Sequence, residues 1–222
     1  MTRKIVALNG SPRAAGNTAH LLHAFVEGAG ENSFVQQVYS SHTLNLKDCT
    51  GCLRCNVLKR CAISGDDWAG LSNRILESDV LVFASPIYFH HLPASLKRVL
   101  DRFRSFAHVQ MTETGLVHTP HQEWSKEFVL ILTMGSPGTS DAQPVIDLFH
   151  YICSIMGPKN RLHVITGTRL GTVNHVIKNE DELLELYRKL KLPEHLAGED
   201  YIKNRELMEQ CRRLGRTLSN SA

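Results

Sequence analysis

Lys4-Ile5-Val6-Ala7-Leu8 runs directly into Asn9-Gly10-Ser11-Pro12-Arg13-Ala14-Ala15-Gly16-Asn17-Thr18, and this junction sets the architecture of the chain. The apolar run is short and unbroken, as a strand buried on both faces would be. A polar, glycine-punctuated loop follows, and a helical pattern begins at Thr18. A loop from a strand's carboxyl end to a helix N-terminus offers backbone N–H groups and a favourable dipole to an anion. Ser11, Asn17 and Thr18 add side-chain donors, Arg13 adds a guanidinium, and Gly10 and Gly16 permit tight backbone paths. The loop is neither a Walker loop nor a G-x-G-x-x-G fingerprint. On residues alone, an ordinary polar turn with an Asn or Ser cap stands beside the anion site.

The same alternation continues along the chain. Lys4–Leu8, Phe34–Tyr39, Val80–Ala84, Phe128–Thr133 and Arg161–Thr166 read as strands. Thr18–Gly28, Asp67–Glu77, Pro93–Arg104 and Asp141–Met156 read as helices, with Asp67 and Asp141 as N-caps. This predicts an α/β three-layer sandwich around a five-stranded parallel sheet. Asn179–Leu190 and Glu199–Leu218 add a C-terminal helical extension, split at Pro193. The expected organisation is one domain over residues 1–222, with a core at about 4–166 and the extension at about 179–218. Leu183, Leu184, Tyr187 and Leu190 form a stripe that either packs on its own domain or docks a second subunit.

Two further loops leave strand ends. Ser85-Pro86-Ile87-Tyr88-Phe89-His90-His91 follows the third strand, and Thr133-Met134-Gly135-Ser136-Pro137-Gly138-Thr139 follows the fourth. In a sheet of order 2-1-3-4-5, strands one and three flank the switch point where ligands bind. Pro86, Tyr88 and Phe89 offer a rigid turn and aromatic surface to a flat heterocycle, or simply close the end of the core. His90 and His91 read as solvated, and Lys97, Asp101 and Arg102 as structural pairs.

Gly10-Ser11-Pro12-Arg13 with Gly16-Asn17-Thr18 resembles the phosphate loop of the flavodoxin-like NADPH-dependent FMN reductases. Ser85-Pro86-Ile87-Tyr88 is similar to the segment bordering the flavin ring in that family, and Leu96-Lys97-x-x-Leu100-Asp101-Arg102 to its next helix. The resemblance implies a flavodoxin-like fold with FMN as cofactor. Ser11, Arg13, Gly16, Asn17 and Thr18 would hold the phosphate. Pro86, Ile87, Tyr88 and Phe89, with Thr133, Gly135 and Ser136, would border the ring.

Four of the six cysteines, Cys49, Cys52, Cys55 and Cys61, fall in one C-x2-C-x2-C-x5-C run. Such a run can aim thiolates at one small volume, as an iron–sulfur cluster requires. A zinc site would show two separated C-x2-C knuckles. The spacing resembles the cysteine motif of the archaeal-type iron–sulfur flavoproteins, which implies a [4Fe-4S] cluster beside FMN. Many flavodoxin-like reductases carry similar cysteines without a cluster. Because the second strand ends on the same side as the flavin loops, the run is expected close to a flavin, its own or a neighbouring subunit's. Cys153 and Cys211 read as packed thiols.

Composition limits the partners. Hydrophobic residues at 42% and charged residues at 21% match an ordinary soluble globular chain. A net charge of +3 with no basic cluster argues against nucleic acid. No run approaches the roughly 18 apolar residues of a spanning helix. The start, Met1-Thr2-Arg3-Lys4, imitates a signal peptide, but its apolar segment ends after four residues, so a strand and a cytoplasmic setting are expected. There, clustered cysteines favour metal or redox chemistry over disulfides. The expected protein is an electron-transferring flavoprotein, coupling FMN to the cluster and exchanging electrons with a small-molecule or protein donor and acceptor as a homodimer or homotetramer. A cluster-free FMN or quinone reductase using NAD(P)H, and a metal- or thiol-based sensor, are the alternatives.

Overall fold

The computed structural model describes residues 3–30 and 34–220. Five strands form one all-parallel sheet: β1 (Lys4–Asn9), β2 (Phe34–Ser40), β3 (Val80–Pro86), β6 (Glu127–Thr133) and β7 (Arg161–Gly167). Their order is β2-β1-β3-β6-β7, which is 2-1-3-4-5 counted over the sheet's own strands, as the sequence predicts. Helices α1 (Asn17–Ala29), α3 (Trp68–Glu77), α4 (Ala94–Arg102) and α5 (Gln143–Met156) provide the crossovers.

The period-two geometry of a strand sorts the core into two layers. Val6, Leu8, Leu81, Phe83, Phe128 and Leu130 face α3, α4 and α5. Ile5, Ala7, Val80, Val82, Val129 and Ile131 face α1 and the C-terminal helix α7 (His195–Asn220). The C-terminal segment is thus part of the second layer. Gly28 and Gly215 let α1 and α7 approach: a Cβ at Gly28 would lie 2.0 Å from the Arg212 carbonyl oxygen, and one at Gly215 would lie 2.2 Å from that of Phe25. The stripe on α6 (Glu180–Leu190) resolves in favour of its own domain at Leu183 and Tyr187, which are buried with Ala197. Asn179 caps α6 through a reciprocal box with Glu182.

The two expected caps, Asp67 and Asp141, differ. Asp67 holds the cap position of α3, but its carboxylate accepts from the Asn45 N–H instead. Asp141 lies within a 3-10 turn, Ser140–Ala142, and the helix begins after it. The sequence reading assigns no element between Arg104 and Phe128. There the chain forms a hairpin, β4 (Ala107–Thr112) and β5 (Gly115–Pro120), outside the main sheet. Its side chains are mostly exposed, so the buried-strand signal is missing.

Candidate flavin cleft and cysteine recess

The loops leaving β1, β3, β6 and β7 meet at one cleft. Ser11, Arg13, Gly16, Asn17 and Thr18 border it from the first loop, Pro86, Ile87 and Tyr88 from the second, and Thr133 and Gly135 from the third. Met134, Leu170 and Gly171 complete the rim. The β7 loop, Thr168-Arg169-Leu170-Gly171-Thr172, is absent from the sequence reading. Its small residues after the fifth strand were the available signal.

The first loop is built to leave donors free. Gly16 caps α1 without a side-chain bond, and the first intrahelical contact is His20 N–H to the Gly16 carbonyl. Among the described residues the N–H groups of Asn17, Thr18 and Ala19 therefore have no partner. Ser11 closes a small turn: its Oγ accepts from Arg13 N–H at 3.2 Å, and its own N–H donates to Asn9 Oδ1 at 2.9 Å. The Arg13 guanidinium is exposed and makes no ion pair among the described residues.

Three expected site residues take other roles. The Asn17 amide donates to the carbonyls of Leu170 (2.9 Å) and Thr172 (2.7 Å), and its Oδ1 accepts from Val176 N–H (3.0 Å). It fastens the β7 loop to α1, so only its backbone N–H is left for an anion. Phe89 does not border the cleft and is fully exposed. It occupies, with His90, a two-residue turn with positive φ at both positions (48° and 60°), closed by reciprocal Tyr88 and His91 backbone bonds at 2.9 Å. Ser136 also lies off the cleft and stabilises its own turn by accepting from Gly138 N–H at 3.3 Å.

Cys49, Cys52, Cys55 and Cys61 border a second, separate recess with Arg102, Arg104 and Ser105. The chain leaves β2 near the start of α4, where Ser41 Oγ meets Ser95 Oγ at 2.8 Å, and then descends along that helix. Arg98 donates to the Leu46 carbonyl at 3.3 Å and Arg102 to that of Lys47 at 2.8 Å. The recess lies at the bottom of this ladder. Arg102 is buried, ion-paired to Asp66 at 2.6 Å, and lies over Trp68 at 5.2 Å. Lys97 pairs with Asp101 at 2.5 Å, so both pairs are structural as read.

The expected adjacency of cysteines and flavin within one chain is therefore corrected. The cleft adjoins the loop before α4 and the recess adjoins its far end, separated by roughly 13 Å of helix rise. The short helix α2 (Cys55–Leu58) is pinned to the hairpin by Asn56, which donates to the Val109 carbonyl (2.8 Å) and accepts from Val109 N–H (3.0 Å). Cys55 is buried, which pushes its thiol up, opposed by the Arg104 guanidinium 3.5 Å from its sulfur. Cys52 is exposed, and the Arg54 N–H is the main group holding its thiol below the usual range. All six cysteines are free. Among the described residues no three His, Cys, Asp or Glu side chains stand at metal-holding spacing.

Residues 3–162 match the family model described as NADPH-dependent FMN reductase. The chain belongs to this family. An iron–sulfur flavoprotein of Methanocaldococcus jannaschii is 32% identical over 101 residues, covering 46% of this chain and 52% of that protein. One from Archaeoglobus fulgidus is 35% identical over 107 residues, 47% of each. The chain thus matches about half the length of these curated relatives. Among solved structures, the NAD(P)H:quinone oxidoreductase of Methanothermobacter marburgensis is similar at a TM-score of 0.61 and 16% identity, covering 98% of this chain and 100% of that one, which is a likeness of fold. No helix among the described residues is long and apolar enough to cross a membrane.

Proposed function

We propose that the protein is an FMN-dependent oxidoreductase that takes electrons from a reduced nicotinamide, and that its four-cysteine loop carries a [4Fe-4S] cluster. The observation carrying the flavin reading is the convergence of ten sequence-predicted residues from three loops on one cleft, beside the three unpartnered N–H groups of α1. Those groups suit a phosphate: they point one way, carry the helix dipole, and gain Arg13 as a countercharge. Bound there, FMN supplies the hydride and electron chemistry. The chain's part is positioning. The Asn9–Ser11 and Ser11–Arg13 turns set the loop, the Asn17 amide fixes the β7 loop against it, and Pro86, Ile87, Tyr88 and Thr133–Gly135 provide the walls for a flat ring.

The cysteine set suits a cluster in kind. Cys49, Cys52, Cys55 and Cys61 share one recess, Arg104 supplies positive charge, and the relatives bearing the name iron–sulfur flavoprotein match about half of this chain. They would hold a centre that exchanges electrons singly. A cluster would require the four sulfurs to draw closer than they stand, and the exposed turn at Gly51–Leu53, whose ends are both left-handed (φ 64° and 56°), lies between Cys49 and Cys55. The second reading, a cluster-free reductase, is favoured by the separation of recess and cleft along α4.

Anaerobic purification with flavin, iron and acid-labile sulfide measured together decides between them. One FMN with on the order of four irons per chain, lost in Cys52→Ser while FMN stays, supports the cluster. Flavin without iron, bleached by NADPH or NADH, selects the reductase. Failure to bind FMN overturns both, and stoichiometric zinc without flavin selects a sensor.

A further inference from the structure

Three arginines follow one another down α4 and into the 3-10 turn Phe103–Phe106 beyond it: Arg98, Arg102 and Arg104. The first two are neutralised. Arg98 pairs with Asp48 at 3.1 Å, and the buried Arg102 pairs with Asp66 at 2.6 Å. Arg104 has no carboxylate within ion-pair distance among the described residues. It is half-buried and borders the cysteine recess. Arg54, Lys59 and Arg60, on the cysteine loop itself, are exposed, so solvent and salt screen their charge. Arg104 is therefore the recess arginine whose charge is left uncompensated, and its complement is an anion.

The guanidinium is fixed in place by the protein itself. Its Nη1 donates to the Ala107 carbonyl at 2.7 Å and its Nη2 to Asn56 Oδ1 at 2.9 Å. Asn56 Oδ1 also accepts from Val109 N–H at 3.0 Å, so the hairpin steadies the arginine and α2 together. The same Nη1 lies 3.5 Å from the Cys55 sulfur. Cys55 thus meets Arg104 twice. As a thiol it donates to the Arg104 backbone carbonyl, 3.7 Å away, while its sulfur accepts from Nη1. A thiolate has no proton to donate, so only the guanidinium contact favours the form of this sulfur that ligates a metal.

We infer that Arg104 is a positioning residue for the redox centre of the cysteine recess: Nη1 donates to the Cys55 sulfur when that sulfur ligates a cluster, and raises the cluster's reduction potential. The inference rests on the cluster reading above. Reduction adds one electron, hence one negative charge, and makes or breaks no bond. A fixed cation beside a ligand sulfur stabilises the more negative, reduced form more than the oxidised one. Donors to ligating atoms tune metal centres in this way. A merely structural Arg104, tying the 3-10 turn to α2 and the hairpin, would affect stability and leave the potential alone.

The test is a redox titration of the anaerobic holoprotein with dithionite and mediators, following the electron paramagnetic resonance of the reduced cluster. Arg104→Met should lower the equilibrium constant for reduction by about tenfold, which is about 59 mV for one electron. Arg104→Lys keeps the charge without the planar fork and should show a smaller drop. Arg60→Gln removes an exposed cation of the same loop and should stay within about twofold of the parent. FMN content should be unchanged in all three. A fall in Tm is expected of Arg104→Met in either case, because the Ala107 carbonyl loses its donor.

A potential for Arg104→Met within about twofold of the parent's overturns the inference, as does an equal drop in Arg60→Gln. If Arg104→Met retains no iron, Arg104→Lys decides: a drop supports the inference and an unchanged potential overturns it. Loss of iron from both variants overturns it too, by assigning the residue to assembly of the site. A parent protein that holds FMN but no iron overturns the cluster reading itself.

Discussion

Thr18 Oγ1 stands 2.7 Å from Thr133 Oγ1, tying the first turn of α1 to the carboxyl end of β6 at the flavin cleft. One hydroxyl donates to the other, so the pair keeps a single O–H proton for a ligand. Both residues are buried, which makes the contact part of the fold as well as of the site.

Thr133→Val strands the Thr18 hydroxyl and should cost about 1–3 kcal/mol, as an unsatisfied buried polar group does. The Tm should fall by about 2–4 °C for each kcal/mol. Adding Thr18→Val removes both partners and should recover most of the stability, yet leave FMN binding about tenfold weaker. A double variant that binds FMN like the parent would remove this pair from the site.

The turn at Phe89-His90 places two non-glycine residues in the left-handed region that an Asn-Gly pair prefers. The double substitution Phe89→Asn with His90→Gly should therefore stabilise the protein by about 1 kcal/mol, read from its urea midpoint. Because Phe89 stands off the cleft, FMN affinity should change little. A large loss of FMN affinity would return Phe89 to the ring site.

Acid should weaken the α6–α7 corner in two stages. Burial pushes the His175 value down to about 4, so the folded state resists a proton that the unfolded chain accepts below about 6.5. Stability should fall by about 3 kcal/mol between those values as pH decreases. Burial acts to raise the Asp200 value, but bonds from Arg169, Lys203 and Tyr187 outweigh it and hold it at about 2. Its contribution is present above about pH 4 and is lost as pH falls toward 2. Urea midpoints from pH 7 to pH 4 should flatten in His175→Gln; an unchanged slope would discard the histidine's part.

Asn56→Ala removes two backbone bonds to Val109 and one from Arg104 at 2.9 Å, which should release α2 from the hairpin. In iron-free protein, iodoacetamide should label the exposed Cys52 before the buried Cys55. The substitution should speed labelling at Cys55 well beyond any change at Cys52, followed by mass spectrometry of the peptides. Equal rates for Cys55 in both proteins would show that Asn56 does not guard it.

Sequence reading went furthest where the information was local. A strand, its carboxyl-terminal loop and the following helix are contiguous, and parallel topology then delivers every such loop to the same edge of the sheet. Ser11, Thr18, Tyr88 and Thr133 could be placed together on that ground alone. It reached less far where a side chain's partner lay far along the chain. Asn17 reads as a phosphate donor until the carbonyls of Leu170 and Thr172, more than 150 positions away, are seen to occupy it.

The cysteine run shows the same division. Its spacing and residue types, read in order, specify a set of thiols able to share one centre, because nearby positions in a short loop must remain close. Where that loop goes is set by non-local contacts: Arg98 and Arg102 draw residues 46–47 down the length of α4, and Asn56 pins α2 to a hairpin that no local pattern announces. Residue order, together with the family resemblance its motifs carry, was enough for the sheet order, the loops that meet at the cleft and the thiol set. Folding in three dimensions was needed to stand the thiols a helix length from the cleft and to make α7 complete the second layer, since both follow from packing between segments distant in the chain.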